Sequence, residues 1–191
     1  MSVKVYLAGP EVFLSNAAEI QKAKAALARA AGFTPLVPGD LEIPPARTKH
    51  ERGLAIYAVD EGMMLASDMI IANLTPFRGI SADVGTVFEL GFMCGRGKHV
   101  YAYTNTARSY YERILNDHYR GNAQLRPDDR MAGPDGLSIE DFDMADNLML
   151  DGGVLRREGT LVQREVPEAS RLTDLEAFKE CLAIAAKRHL S

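Results

Sequence analysis

The chain has 191 residues, a net charge of −4 and 47% hydrophobic residues, and its length suits one domain, residues 1–191. This ordinary composition, with two cysteines, excludes an intrinsically disordered, a collagen-like or a disulfide-framed protein. The negative charge argues against electrostatic binding of nucleic acid, and no segment reaches the roughly 20 apolar residues of a transmembrane helix. The chain starts with a strand pattern instead of a signal peptide, so we expect a cytoplasmic protein that contacts neither membrane nor nucleic acid.

The first hundred residues alternate between apolar strand patterns and helix patterns. Short apolar runs that end at Gly or Pro are typical of buried strands. Strands are predicted at residues 3–8, 33–37, 69–74 and 99–103, and helices at about 16–31, 49–66 and 83–95. Because strands that alternate with helices form parallel sheets, the sequence predicts an α/β fold, a doubly wound, flavodoxin-like sheet with helices on both faces.

The alternation weakens in the second half of the chain. Residues 105–141 are polar and contain several Pro and Gly, and we expect a helix at about 109–119 followed by an extended loop or a lid. Residues 156–170 predict an irregular segment or a hairpin. The final residues, 174–190, predict an amphipathic helix whose start is capped by Thr173.

Ligands of doubly wound sheets bind outside the carboxyl ends of the strands. Gly9 follows the first predicted strand, where the absence of a side chain would let a ligand approach the backbone. The dinucleotide fingerprint G-x-G-x-x-G and the phosphate loop G-x-x-x-x-G-K-[ST] are both missing, which argues against NAD and nucleoside triphosphates. No His, Cys or Asp cluster has metal-ligand spacing, and the four histidines are scattered, so we expect no metal site.

Four residues near these strand ends have both a structural and a functional interpretation. Asp83 suits the N-cap of the third helix, but it also lies where a ligand would bind. Glu89 stands among small and apolar residues, which is unusual for a solvated helix face, although the helix dipole also favours an early Glu. Taken alone, Asp60 is interpreted as a surface acid. Tyr6 is interpreted as a core tyrosine whose hydroxyl needs a partner. Such a set suits proton transfer or nucleophilic carboxylate chemistry at a sugar carbon.

The sequence resembles the nucleoside 2-deoxyribosyltransferase family in an ordered set of motifs that extends over most of the chain. The matching pieces are VYLAGP at residues 5–10 with Phe13, Asp60, SDMIIANL at 67–74, PFRG at 76–79, DVGTVFELG at 83–91 and NLML at 147–150 with GGV at 152–154. Each piece is short, and it is the complete ordered set that carries the resemblance.

The resemblance implies transfer of 2-deoxyribose between nucleobases with retained configuration. Glu89 would attack the sugar carbon C1′ and form a covalent intermediate, as in retaining glycosidases. Tyr6 would orient Glu89, and Asp60 would exchange a proton with the base. Asp83 would accept a hydrogen bond from the 5′-hydroxyl, and Phe13 would pack on the base.

The resemblance also implies partners and further binding residues. The substrates would be deoxynucleosides and free nucleobases, as in nucleotide salvage, and no metal or organic cofactor would be required. Gly9 and Met149 are substrate-binding candidates, and Asn147 would reach the active site of a neighbouring subunit in a homo-oligomer. Residues 105–141 and 156–172 are polar insertions beyond the family's compact form, and the first of them could form a lid, an oligomer contact or a surface decoration.

Two other functions remain open at this point. One is a related 2′-deoxynucleoside 5′-phosphate N-hydrolase, in which water accepts the sugar and a serine stands six residues before the nucleophile. Asp83 takes that place here, and a carboxylate would repel a phosphate dianion but suit a neutral hydroxyl. The other is a sensor module that binds a nucleoside or nucleotide without turnover, although such a module has no need of a nucleophile.

Overall fold

A computed structural model describes residues 2–190, within which five parallel strands form one sheet in the order β2-β1-β3-β4-β7. The strands are β1 (Lys4–Ala8), β2 (Thr34–Leu36), β3 (Met69–Asn73), β4 (His99–Thr104) and β7 (Leu161–Gln163). This is the flavodoxin-like strand order, and the predicted fold class is confirmed. A short antiparallel ribbon pairs β5 (Gln124–Leu125) with β6 (Met131–Ala132) outside that sheet.

Helices connect the strands and cover the sheet. They are α1 (Ala17–Ala30), α2 (Lys49–Ala66), α3 (Val84–Gly95), α4 (Tyr110–Arg113), α5 (Leu148–Leu155) and α6 (Glu176–His189). The last turn of α4 continues into a π-helical turn, Ile114–His118, so the helix expected near 109–119 is present. In residues 2–190, no helix is both long and apolar enough to cross a membrane.

Alternate residues of each strand face two separate cores. Val5 and Leu7 of β1 pack in the core beneath α1 and α6, where Phe178 is fully buried. Tyr6 and Ala8 face the opposite core, which α2, α3 and α5 cover. Because both faces are covered, the central strand β3 is buried along its whole length, as expected for a parallel sheet.

The connections place a crevice between β1 and β3. The chain leaves β1 to form β2 on one side, and then returns to pair β3 on the other side, with Tyr6 beside Ile70. At such a reversal of strand order the flanking loops part, and ligands bind at the carboxyl ends of the two strands. Gly9 and the 3₁₀ turn Pro10–Phe13 follow β1 at this edge.

The structure corrects the sequence interpretation in two places. Residues 161–163, expected in an irregular segment or hairpin, form β7, which pairs in parallel with β4 at the edge of the main sheet. Thr173 does not cap α6, because the helix begins at Glu176 and the Glu176 amide donates to Oδ1 of Asp174 over 2.9 Å.

Candidate active site

A pocket of about 400 Å³ opens at the carboxyl edge of β1, between α1, α2 and the start of α3. Five of the residues singled out in the sequence line it, namely Gly9, Phe13, Asp60, Asp83 and Glu89. Tyr6 lies directly behind Glu89 and is fully buried. The remaining wall includes Gln21, Ile56 and the irregular segment after β2, which contributes Pro38, Gly39 and Ile43.

Tyr6 and Glu89 form the innermost polar contact of this pocket. The Tyr6 hydroxyl donates to Oε1 of Glu89 over 2.6 Å. The contact arises because Tyr6 is on the face of β1 that packs under α3, whereas Glu89 lies one and a half turns into α3. Burial and the charge of Glu89 raise the pKa of Tyr6, so the hydroxyl keeps its proton and acts as the donor.

The environment of Glu89 favours its neutral form more than water does. The pKa of Glu89 is raised to about 7: burial raises it most, the bond from Tyr6 lowers it, and the charges of Asp60 and Asp83 raise it. At neutral pH both protonation states are therefore populated, and the ionised fraction is a carboxylate with little solvation. Such a carboxylate, held in one orientation, is a competent nucleophile.

Asp60 and Asp83 approach the same pocket from different helices. Asp60 is on α2, and partial burial raises the pKa of its carboxyl group. Asp83 is the N-cap of α3, where its Oδ2 accepts from the Thr86 amide over 3.0 Å and from the Thr86 hydroxyl over 3.2 Å. The N-cap interpretation of Asp83 is therefore confirmed, and because the residue also lines the pocket, its function in ligand binding stays a prediction.

Phe13 and Gly9 shape the mouth of the pocket. Phe13 is half exposed and stacks on Phe77 at 5.2 Å between ring centroids, with the Arg78 guanidinium 4.9 Å from the Phe13 centroid. A Cβ on Gly9 would collide with the carboxylate of Glu11 and lie 2.9 Å from Cβ of Asn73. Glycine is therefore required here by close packing, and it leaves the backbone accessible to a ligand.

Asn147 and Met149 do not reach the pocket of their own chain. Asn147 is the N-cap of α5, with its Oδ1 accepting from the Met149 amide over 3.1 Å and its Nδ2 donating to Glu140 over 2.8 Å. Met149 is 72% exposed and borders a separate apolar groove between α3 and α5. Any substrate contact by this pair needs a second copy of the chain.

Sequence reasoning missed a buried polar cluster behind Gly9. Glu11 is 2% exposed, and its Oε1 accepts from Lys24 Nζ over 2.8 Å, from Asn73 Nδ2 over 3.0 Å and from the Tyr103 hydroxyl over 3.0 Å. Although burial alone would raise it, these contacts hold the pKa of Glu11 below its usual value. A lysine at position 24, on the buried face of an otherwise amphipathic helix, was the available signal.

Among residues 2–190, no group of three or more His, Cys, Asp or Glu side chains has an arrangement that could hold a metal ion. Cys181 is buried in the α6 core and Cys94 is partly buried on α3. The polar side chains that line or adjoin the pocket include its carboxylates, the Tyr6 hydroxyl, the Gln21 amide and the Thr86 hydroxyl.

Comparison with known proteins shows the family and the fold that the chain shares. The sequence profile of nucleoside 2-deoxyribosyltransferases matches residues 5–149. A 2-deoxyribosyltransferase from Leishmania mexicana is 26% identical with a TM-score of 0.65, over 98% of this chain and 99% of that one. A conserved protein from Enterococcus faecalis, 18% identical, shares the fold with a TM-score of 0.61 over 98% and 99% of the two chains.

A protein from Schizosaccharomyces pombe described as uncharacterised is 31% identical over 188 residues, which are 91% of this chain and 88% of that protein. The profile match includes the strands and helices that carry Tyr6, Asp60, Asp83 and Glu89. The chain belongs to the nucleoside 2-deoxyribosyltransferase family.

Proposed function

We propose that the protein transfers 2-deoxyribose from one nucleobase to another through a covalent intermediate on Glu89. The observation that carries this proposal is the Tyr6–Glu89 hydrogen bond of 2.6 Å at the inner end of a pocket that Asp60 and Asp83 also line. A retaining displacement needs one oriented carboxylate and one group that exchanges a proton with the leaving group. Glu89 and Asp60 supply these two functions.

In the first half of the reaction, an Oε atom of Glu89 attacks C1′ as the bond between C1′ and the base nitrogen breaks. The electron pair of that bond goes to the base, and Asp60 in its acid form donates the proton that neutralises it. In the second half, a nitrogen of the incoming base attacks C1′ and the ester oxygen leaves as the Glu89 carboxylate. Asp60 recovers a proton from the incoming base, and two inversions give retention.

Tyr6 has a positioning function in this scheme. Its hydroxyl occupies one carboxylate oxygen of Glu89 and leaves the other for C1′. The hydrogen bond also lowers the pKa of Glu89 against the effect of burial, so more of the nucleophile is ionised at neutral pH.

The charge of the pocket favours a nucleoside over a nucleotide. Asp60, Asp83 and Glu89 line it, and no Lys, Arg or His does so among the described residues. A 5′-phosphate beside Asp83 would meet a carboxylate and no cation of the pocket lining, since Arg78 stacks on Phe13 at the mouth, whereas a 5′-hydroxyl can donate to Asp83. This distribution supports transfer from a neutral deoxynucleoside over hydrolysis of a 5′-phosphate.

We further propose that the enzyme is a homo-oligomer in which Asn147 completes the site of a neighbouring copy. Of the 18 residues of α2, only Met63 and Met64 are buried. Val84, at the start of α3, is 84% exposed. The exposed large apolar side chains on α2, α3 and α5 are Leu54, Ile56, Tyr57, Leu65, Val84, Phe88, Leu148, Met149 and Leu155. So much exposed apolar surface is typical of an interface, and a second copy would bring α5 to it.

The proposal is tested by incubating the protein with thymidine and adenine and separating the products by chromatography. We expect free thymine and 2′-deoxyadenosine from the wild type and neither product from Glu89→Ala. Thymidine 5′-monophosphate alone tests the hydrolase, which would release thymine from it without an acceptor base. Binding of thymidine in a calorimeter without any release of thymine would instead support a sensor.

A 2′-fluoro-2′-deoxynucleoside identifies the nucleophile directly. The fluorine slows breakdown of the glycosyl ester, so the sugar should remain on Glu89 and appear in peptide mass spectra. A sugar attached to another residue, or exchange activity in folded Glu89→Ala, would overturn the assignment.

A further inference from the structure

The polar segment 105–141 places a buried arginine against the active-site loop. Arg113, in α4, has a side chain that is only 3% exposed. Its Nε donates to the carbonyl of Ile80 over 2.7 Å, in the loop that leads to Asp83. Its Nη2 donates to the carbonyl of Ala145 over 2.8 Å and to Oδ2 of Asp146 over 3.2 Å.

Asp146 completes the connection from the other side. It is 1% exposed, and its carboxylate accepts from the Ser81 hydroxyl and, over 3.0 Å, from the Ala82 amide. The same carboxylate accepts from the Asn147 amide over 2.8 Å. Arg113, Ala82 and Asp146 are buried and Ser81 is half-buried, and each of these bonds limits the freedom of the loop from which it comes.

We infer that Arg113 and Asp146 are positioning residues that hold residues 80–82, and through them Asp83, in the geometry that meets the 5′-hydroxyl of the sugar. The inference rests on the proposed function and assigns a task to segment 105–141, which supplies the arginine. Asp83 is the residue directly after Ala82, so a shift of this loop moves Asp83 with it. Without the pair, the loop would lose the contacts from Arg113 to Ile80 and from Asp146 to Ser81 and Ala82.

The test compares two donors that differ only in the group that Asp83 would bind. Exchange rates are measured for 2′-deoxyadenosine and for 2′,5′-dideoxyadenosine, with hypoxanthine as acceptor. The variants are Asp146→Asn, which is isosteric but loses acceptor capacity, and Ser81→Ala, which removes one hydrogen bond at a half-buried position. The matched control is Asp117→Asn, which removes an exposed ion pair with Arg108 within the same segment.

We expect Asp146→Asn to lower kcat/KM for 2′-deoxyadenosine by about 10- to 100-fold, since a misplaced binding group is costly. The rate with 2′,5′-dideoxyadenosine should stay within about twofold of the wild type, because that donor makes no use of Asp83. Ser81→Ala should show the same selective loss to a smaller degree, and adding it to Asp83→Ala should cost nothing more. Asp117→Asn should leave both rates unchanged.

An equal loss with both donors, in variants whose thermal unfolding shows them folded, would mean that the pair is merely structural and would overturn the inference. A wild type that does not prefer 2′-deoxyadenosine to 2′,5′-dideoxyadenosine would also overturn the inference. Absence of exchange in the wild type would instead contradict the proposed function itself, and the inference would fall with it.

Discussion

Tyr6 on β1 and Glu89 on α3, 83 positions apart in the chain, are joined by a hydrogen bond of 2.6 Å. The bond connects the strand at the centre of the crevice to the helix that carries the proposed nucleophile. Its donor is fixed by the sheet, because Tyr6 lies between β2 and β3 and is fully buried. The carboxylate orientation is therefore set by a fully buried side chain of a strand that is paired on both sides.

Replacing Tyr6 by Phe tests this relationship. We expect kcat for base exchange to fall by about 10- to 100-fold, the usual range for losing one positioned hydrogen bond of a reacting group. The hydrogen bond lowers the pKa of Glu89, so its removal should raise that pKa above about 7. The acidic limb of the pH–rate profile, measured from about pH 5 to pH 9, should therefore move to higher pH.

Tyr119→Phe is the matched control, because that tyrosine also donates to a carboxylate, Asp135, on the exposed surface of segment 105–141. Its rate and its pH profile should match the wild type. An unchanged acidic limb in Tyr6→Phe would contradict the proposal that Tyr6 acts on Glu89.

The raised pKa of Glu89 also predicts how stability depends on pH. Glu89 shifts from 4.5 to about 7 on folding, so the folded state binds the proton more tightly than the unfolded chain does. Glu89 therefore has no effect on the free energy of unfolding below its unfolded pKa of 4.5. That free energy declines as the pH rises above 4.5 and through the folded pKa of about 7. At about 1.4 kcal/mol per pKa unit, ionised Glu89 costs up to about 3 kcal/mol at pH 8.

Glu89→Gln, which cannot ionise, should thus exceed the wild type in free energy of unfolding at pH 8. The advantage should shrink towards pH 5, where Glu89 is protonated in the folded state. Urea unfolding at the two pH values measures both differences. A difference that is the same at both values would argue against ionisation of Glu89 as its cause.

The Glu11–Lys24 pair behind Gly9 gives a further prediction. Lys24→Met leaves the buried carboxylate of Glu11 without its cation, and such a loss costs about 3–5 kcal/mol. Adding Glu11→Gln removes the unpaired charge, so the double variant should be more stable than Lys24→Met alone. Urea unfolding of the single and double variants checks this, and strictly additive losses would show that the two side chains do not interact.

A mixing experiment tests whether subunits share active sites. Glu89→Ala and Asn147→Ala should each be inactive or nearly so, the first without a nucleophile and the second without its contribution to the neighbour. In a mixed oligomer, some sites combine the intact Glu89 of the Asn147→Ala copy with the intact Asn147 of the Glu89→Ala copy. For a dimer, random mixing should restore about a quarter of the wild-type sites. Mixtures that stay as inactive as their components would contradict a shared site.

Much of the fold follows from local sequence signals. The apolar run at 69–74 forms the buried strand β3, and the helix predicted at 49–66 has those bounds. Its start is marked by Thr48, whose side chain accepts from the Glu51 amide over 3.0 Å. Glu89 also stood out locally, because a carboxylate among small and apolar residues needs an explanation, although its function stays a prediction.

Other features depend on contacts between distant segments, which no local pattern reveals. Strand β7 has three residues and pairs only with β4, more than 50 positions earlier. Helix α5 contains Gly152 and Gly153, which are poor helix formers, and it is held by the packing of Leu150 and Val154. The burial of Glu11 requires Lys24, Asn73 and Tyr103, which the fold alone brings together.

One wall of the pocket is formed by a helix and another by an irregular segment. Glu89 projects from a regular helix packed on the sheet, whereas Pro38, Gly39 and Ile43 belong to residues 37–48, which form neither helix nor strand. Loops tolerate insertion and substitution far better than packed elements do. The range of acceptor bases in the proposed reaction could therefore be altered by exchanging residues 37–48 between homologues. Such an exchange would leave the helix that carries Glu89 unchanged.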